Sequence, residues 1–177
     1  MDLCEIVKLA ENNPNFHVVE KHDEYIVMEI GVSNTFDVIK VGPDGPINYH
    51  RLVSYAYGYR MGDNIPCPEA KIHEDGQSIW LIDGKHRTMA QIMTSKKVKV
   101  EIDGAYNSLQ GNLVGRIGID WESPFSANPF RANICRPSEG IPRQFYNEMD
   151  KVLKSLGYYR PTIVNYFRNL IKGILGR

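Results

Sequence analysis

Gly84-Lys85-His86-Arg87-Thr88 is the stretch of this chain best suited to chemistry. It follows a short apolar run, Ile79-Trp80-Leu81-Ile82, and it opens a helical pattern in which Met89, Ala90 and Met93 share one face. The first amides of a helix have no partners within it and point at whatever precedes them. The aligned peptide dipoles add partial positive charge there. Lys85, Arg87 and an imidazolium at His86 would complete an anion site of phosphate size. Acidic side chains stabilise a helix start, so three basic-type residues oppose local stability, and such a conflict marks a place where function is at work. The plainer alternative is a solvated helix start with His86 as a satisfied surface residue.

In the sharper reading Lys85 and Arg87 stabilise charge developing on phosphoryl oxygens. His86, with an ordinary pKa near neutrality, is the candidate general acid or base. A carboxylate, Glu69 or Asp83, would act as a base or hold a divalent ion. Asp83 has a second explanation, since Asp before a helix commonly caps it. Lys71 shares a strand face with Glu69 and reads more simply as a surface residue.

These residues are positioned by a strand–turn–helix–strand unit. The run 79–82 is too short for a helix and reads as a strand covered on both faces. Asp83-Gly84 breaks it, because glycine reaches backbone angles closed to other residues. Residues 86–93 read as the helix. Val98, Val100 and Ile102 alternate with Lys99 and Glu101 as the following strand. Residues 68–72 form a short strand before the unit, joined to it by a turn at 73–76.

Upstream, residues 2–10 predict a helix with Asp2 and Glu5 spaced as a capping box. Residues 16–20 and 25–30 read as a β-hairpin, 31–34 as a turn and 35–41 as a third strand. Gly42-Pro43-Asp44-Gly45-Pro46 is the strongest breaker. Residues 49–60 (YHRLVSYAYGYR) are aromatic and weakly helical. Tyr55, Tyr57 and Tyr59 would either stack on a base or be partly buried with wet hydroxyls. Downstream, 104–137 reads as a long irregular excursion with one strand at 113–119. Residues 142–156 and 161–175 predict an αα-hairpin. It packs on the core or, less plainly, reads DNA as a helix-turn-helix.

At 177 residues, 42% hydrophobic and 24% charged, the chain predicts a globular α+β protein, a single domain over 1–177. Formal net charge is zero, so no overall field argues for nucleic acid or membrane. The charge is uneven: nine basic and three acidic residues lie from Arg131 onward. Cys4, Cys67 and Cys135 are widely spaced, which predicts neither zinc nor disulfides. No secretion signal and no membrane-length apolar run is visible, and the expected location is the cytoplasm.

The segment DGKHRTMA resembles the G-x-x-R-x-x-A signature of the ParB/sulfiredoxin superfamily, with Gly84, Arg87 and Ala90 at the fixed places. The resemblance covers residues 36–102, and the order Pro-led strand, Asp75-Gly76 turn, strand, motif is the same. The motif is most similar to that of stand-alone plasmid fertility inhibition factors of the oncogenic-suppression type, which read G-R-H-R where this chain has Gly84-Lys85-His86-Arg87. Sulfiredoxin has Cys before the His-Arg pair. Lys85 stands there, so sulfinic-acid reduction is not implied.

The resemblance implies a mixed sheet with packed helices as the core over 36–102, to which the N-terminal hairpin is an extension and the αα-hairpin at 141–177 a C-terminal addition. It implies phosphate binding at Gly84, Lys85, His86, Arg87 and Thr88, with Arg60 and Asp63 facing the same turn. It implies nuclease- or ATPase-type activity on ATP or CTP with Mg2+, DNA as a partner, and interference with a conjugation or secretion component. A non-catalytic protein-binding inhibitor on the same fold and a small-molecule phosphotransferase are the alternatives.

Overall fold

The computed structural model describes residues 1–42, 45–107, 117–121 and 140–160. In chain order the elements are α1 (Leu3–Glu11), β1 (Phe16–Lys21), β2 (Ile26–Gly31), α2 (Val32–Val38), β3 (Ile39–Val41), β4 (Ile47–Asn48) and α3 (Tyr49–Arg60). They continue with β5 (Glu69–His73), β6 (Ile79–Asp83), α4 (Lys85–Thr94), β7 (Lys97–Tyr106), β8 (Ile119–Asp120) and α5 (Arg143–Ser155). The class is α+β with a mixed sheet.

Six strands line up in the order β1-β2-β7-β5-β6-β3, and β4 and β8 form a separate parallel pair. The β1–β2, β2–β7 and β5–β6 pairs are antiparallel, while β5–β7 and β3–β6 are parallel. Register explains which side is buried. Ile26 pairs with Ile102, Met28 with Val100 and Ile30 with Val98. Ala70 pairs with Leu81, and Ile72 and Ile39 both pair with Ile79. All of these side chains are buried, so alternation along each strand gathers one apolar face against which helices pack. The intervening positions carry charge: Glu29 of β2 meets both Lys97 and Lys99 of β7.

α1 starts with the capping box expected from Asp2 and Glu5, with both reciprocal bonds formed. Beyond its end, the Asn13 side chain donates to the Gly76 carbonyl at 2.7 Å, which ties the β5–β6 turn to the N-terminal helix.

The strand expected over 35–41 is a correction. Residues Val32–Val38 are helical and only Ile39–Val41 is extended. Thr35 and Val38 are the buried positions, a helical spacing that the β-branched composition hid. The Thr35 hydroxyl, donating to the Gly31 carbonyl, adds a local bond that a strand could not use. A second correction concerns β6: Ile79 and Leu81 are buried, but Ile82 is 44% exposed, so the strand is not covered on both faces at its end.

α3 is a helix despite its aromatic content. The Asn48 side chain accepts the Arg51 N–H at 2.9 Å and caps it. It packs against α4, which is buried on nearly every side from Arg87 to Met93. Among the described residues no helix is long and apolar enough to cross a membrane. α5 lies where the first C-terminal helix was expected, and Gly157 follows it at φ +79°. The second expected helix, 161–175, most of the 113–119 strand and Cys135 lie outside the described residues.

Candidate functional site

The β6–α4 turn is built around Gly84, at φ +94° and ψ 27°. A Cβ there would lie 2.9 Å from both Cα and Cβ of Pro68, and the backbone angle itself disfavours any side chain. The glycine brings the turn close against the entrance of β5. No side chain caps the N-terminus of α4.

A pocket of about 290 Å3 opens at this turn. Gly45, Pro46 and Ile47 form one wall, Arg51 and Tyr55 of α3 another, and Ile82 to Arg87 the third. Of the residues expected from sequence, the fold brings Asp83, Gly84, Lys85, His86 and Arg87 to it. Their parts in it differ from the expectation.

Arg87 is 8% exposed. Its Nη1 donates to the carbonyls of Pro66 and Cys67, at 3.1 and 2.7 Å, and its Nη2 to Asp83 Oδ2 at 2.8 Å. The guanidinium therefore clamps the segment before β5 to the turn. Three of its five N–H donors go to protein acceptors, and Asp83 has it as a counter-ion.

His86 is partly buried and accepts the main-chain N–H of Asn48 through Nε2, at 3.0 Å. Burial, and next the nearby charge of Arg51, push its pKa down to about 4. The imidazolium expected at this turn is thus a neutral ring at neutral pH. To act as a base, Nε2 would first have to release Asn48.

The cation that sequence reasoning missed is Arg51. It lies one helical turn before Tyr55, with its guanidinium carbon 5.8 Å from that ring centre, and among the described residues it has no carboxylate partner. Its signal was local: an Asn cap at 48 puts residue 51 in the first turn of α3, and residue 55 then shares its face. Lys85 reaches toward the Gly42 carbonyl at 3.5 Å. Arg51 and Lys85 thus approach the pocket from different elements.

The other expected residues lie elsewhere. Thr88 is fully buried, its N–H donating to the Gly84 carbonyl, and it does not line the pocket. Arg60 pairs with Glu148 of α5 at 2.6 Å and lies over the Phe145 ring. Asp63 packs near Gly58, and Lys71 lies along Gly104. Glu69 pairs in register with both Asp83 and Glu101 and is absent from the pocket lining. Burial, then the charge of Glu69, raises the Glu101 pKa, which marks this side of the turn as acidic.

Among the described residues no three His, Cys, Asp or Glu side chains gather as metal ligands. Asp83 lines the pocket but is paired with Arg87, and Glu69 is not among the lining residues. The three tyrosines scatter around α3: Tyr55 lines the pocket, Tyr57 meets Phe145 edge-on, and the Tyr59 hydroxyl accepts from Gln91.

A second cavity of about 440 Å3 lies between the start of α3 and α5, lined by Tyr49, His50, Arg143, Tyr146, Asn147, Asp150 and Arg160. The Tyr49 hydroxyl donates to Asp150, and the Arg160 guanidinium lies over the Tyr49 and Trp121 rings. This cavity holds α5 to the core through a buried phenol and its carboxylate.

The chain matches no protein-family model, no curated protein and no solved structure.

Proposed function

We propose that this protein binds phosphate at the β6–α4 turn, as a ParB/sulfiredoxin-type protein would, with the phosphoryl group of a nucleotide such as ATP or CTP as its ligand. The observation that carries the reading is the approach of Arg51 and Lys85, from α3 and α4, to one 290 Å3 pocket at an uncapped helix N-terminus. Cations gathered at a helix start act as an anion cradle. The strand–Gly–helix order of the resemblance agrees with it. In this reading Gly84 and Arg87 of the motif build the turn, and Arg51 and Lys85 meet the ligand.

One observation favours the non-catalytic alternative, a binding module that inhibits a partner. His86 Nε2 and three of the five Arg87 donors, groups a hydrolase or nuclease would use, are already engaged within the protein. The experiment is a calorimetric titration of the full chain with inorganic phosphate, ATP and CTP, alongside assays for phosphate release and DNA cleavage. Binding that weakens at least about tenfold in Arg51→Gln and in Lys85→Gln is the expected result, equivalent to about 1.4 kcal/mol per variant. No binding of any of the three ligands sinks the proposal. Binding without turnover favours the inhibitor module.

A further inference from the structure

Ile82 is one of four large apolar side chains exposed among the described residues, and it is the one that lines the pocket. An apolar side chain placed beside cations is poorly suited to inorganic phosphate, which it cannot solvate. It suits a ligand that brings apolar surface with its charge. Pro46, Ile47 and Tyr55 are also among the lining residues, with Ile47 and Tyr55 themselves buried. The pocket volume sits at the lower edge of the range for small-molecule sites, roughly 300–1,000 Å3, which limits the ligand to one compact molecule. Beyond the turn lie Glu69, Glu101 and Asp103, whose mutual repulsion helps to raise the Glu101 pKa after burial. A polyanion extending past the pocket on that side would meet those carboxylates.

We propose that the pocket selects a compact phosphomonoester with an apolar or aromatic body, its phosphoryl group between Arg51 and Lys85 and its body against Ile82. This rests on the phosphate reading given above and narrows it, since inorganic phosphate and duplex DNA then become the poorer ligands. Arg51 supplies the planar guanidinium that grips two phosphoryl oxygens at once. Ile82 supplies the discrimination, because its contact exists only when the ligand carries a body.

Calorimetry on the full chain with phenyl phosphate and inorganic phosphate tests this. Phenyl phosphate is expected to bind about tenfold tighter, the gain from burying roughly 60 Å2 of apolar surface. In Ile82→Asn that advantage disappears while inorganic phosphate binds as before. In Arg51→Gln both ligands weaken together. Equal affinity for the two ligands in the unaltered protein, or an advantage that survives Ile82→Asn, overturns the selectivity and leaves the phosphate site standing. Displacement of phenyl phosphate by a short DNA duplex at equal phosphate concentration also overturns it, in favour of a polymer. Absence of binding by both small ligands overturns the phosphate site itself. Ile82 is exposed, so loss of folding does not obscure its variant, and a matching urea midpoint verifies that.

Discussion

Asp83 and Arg87 stand one helical turn apart with the left-handed Gly84 between them, and Nη2 of Arg87 meets Oδ2 of Asp83 at 2.8 Å. The same guanidinium holds the carbonyls of Pro66 and Cys67, so the pair is a strut as much as part of a pocket. A basic residue in a motif read as phosphate-binding thus performs structural work, and variants must be chosen to separate the two roles.

Arg87→Gln is expected to lower unfolding stability by about 2 kcal/mol, because the Pro66 and Cys67 carbonyls lose the guanidinium that holds them. Arg51→Gln, on an α3 face without a carboxylate partner among the described residues, is expected to change stability by less than about 0.5 kcal/mol. Urea denaturation of both variants measures the contrast. Equal losses would show that Arg51 is structural as well.

Gly84→Ala is expected to cost about 2 kcal/mol or more. The left-handed angle penalises a side chain by about 1–2 kcal/mol, and the added Cβ would press on Pro68 Cα and Cβ at 2.9 Å. Thermal unfolding reads the loss directly. A cost under about 0.5 kcal/mol would mean that the turn relaxes freely away from β5.

His86 gives the chain a pH dependence of definite sign. Its folded pKa, about 4, is below the ordinary value of 6.5, so the unfolded chain takes up the proton first. Its contribution is fully present above about pH 6.5 and is lost as the pH falls from there toward 4, by up to about 3 kcal/mol. Urea midpoints at pH 7, 6, 5 and 4 should fall more steeply for the unaltered protein than for His86→Gln. Parallel slopes would remove His86 as the source.

Gln91 is 5% exposed, and its carboxamide both donates to the Lys99 carbonyl and accepts the Lys99 N–H, at 3.1 and 2.7 Å. It stands in for a strand partner where β5 does not reach along β7. Gln91→Leu leaves both main-chain groups unpaired and is expected to cost about 2–3 kcal/mol. Faster hydrogen exchange at the Lys99 amide, without change at Val98, would locate the loss. Unchanged protection at Lys99 would count against the pairing.

Much of the scaffold was legible because its signals are local. The Asp2–Glu5 capping box, the β1–β2 hairpin, the alternation of β7 and the break at Asp83-Gly84 each lie within a few residues of what they specify. The helix at Val32–Val38 was not legible, since β-branched residues favour a strand and only burial of Thr35 and Val38 against the sheet reverses the preference. In the site, the turn and its basic residues were visible in sequence, but their division of labour was not. Arg60, expected at the turn, is drawn to Glu148, while Arg51 was passed over.

By itself, then, the sequence determined that a strand ends at a glycine and a helix begins with Lys85, His86 and Arg87, because periodicity and backbone freedom act between near neighbours. The tertiary structure alone decided that Arg87 turns inward to Pro66 and Cys67, that His86 is a neutral acceptor for Asn48, and that Arg51 joins Lys85 at one pocket. Those outcomes depend on which distant segments the sheet order and the α3–α4 packing bring together. Burial then sets both the charge state of a side chain and the donors it has left for a ligand.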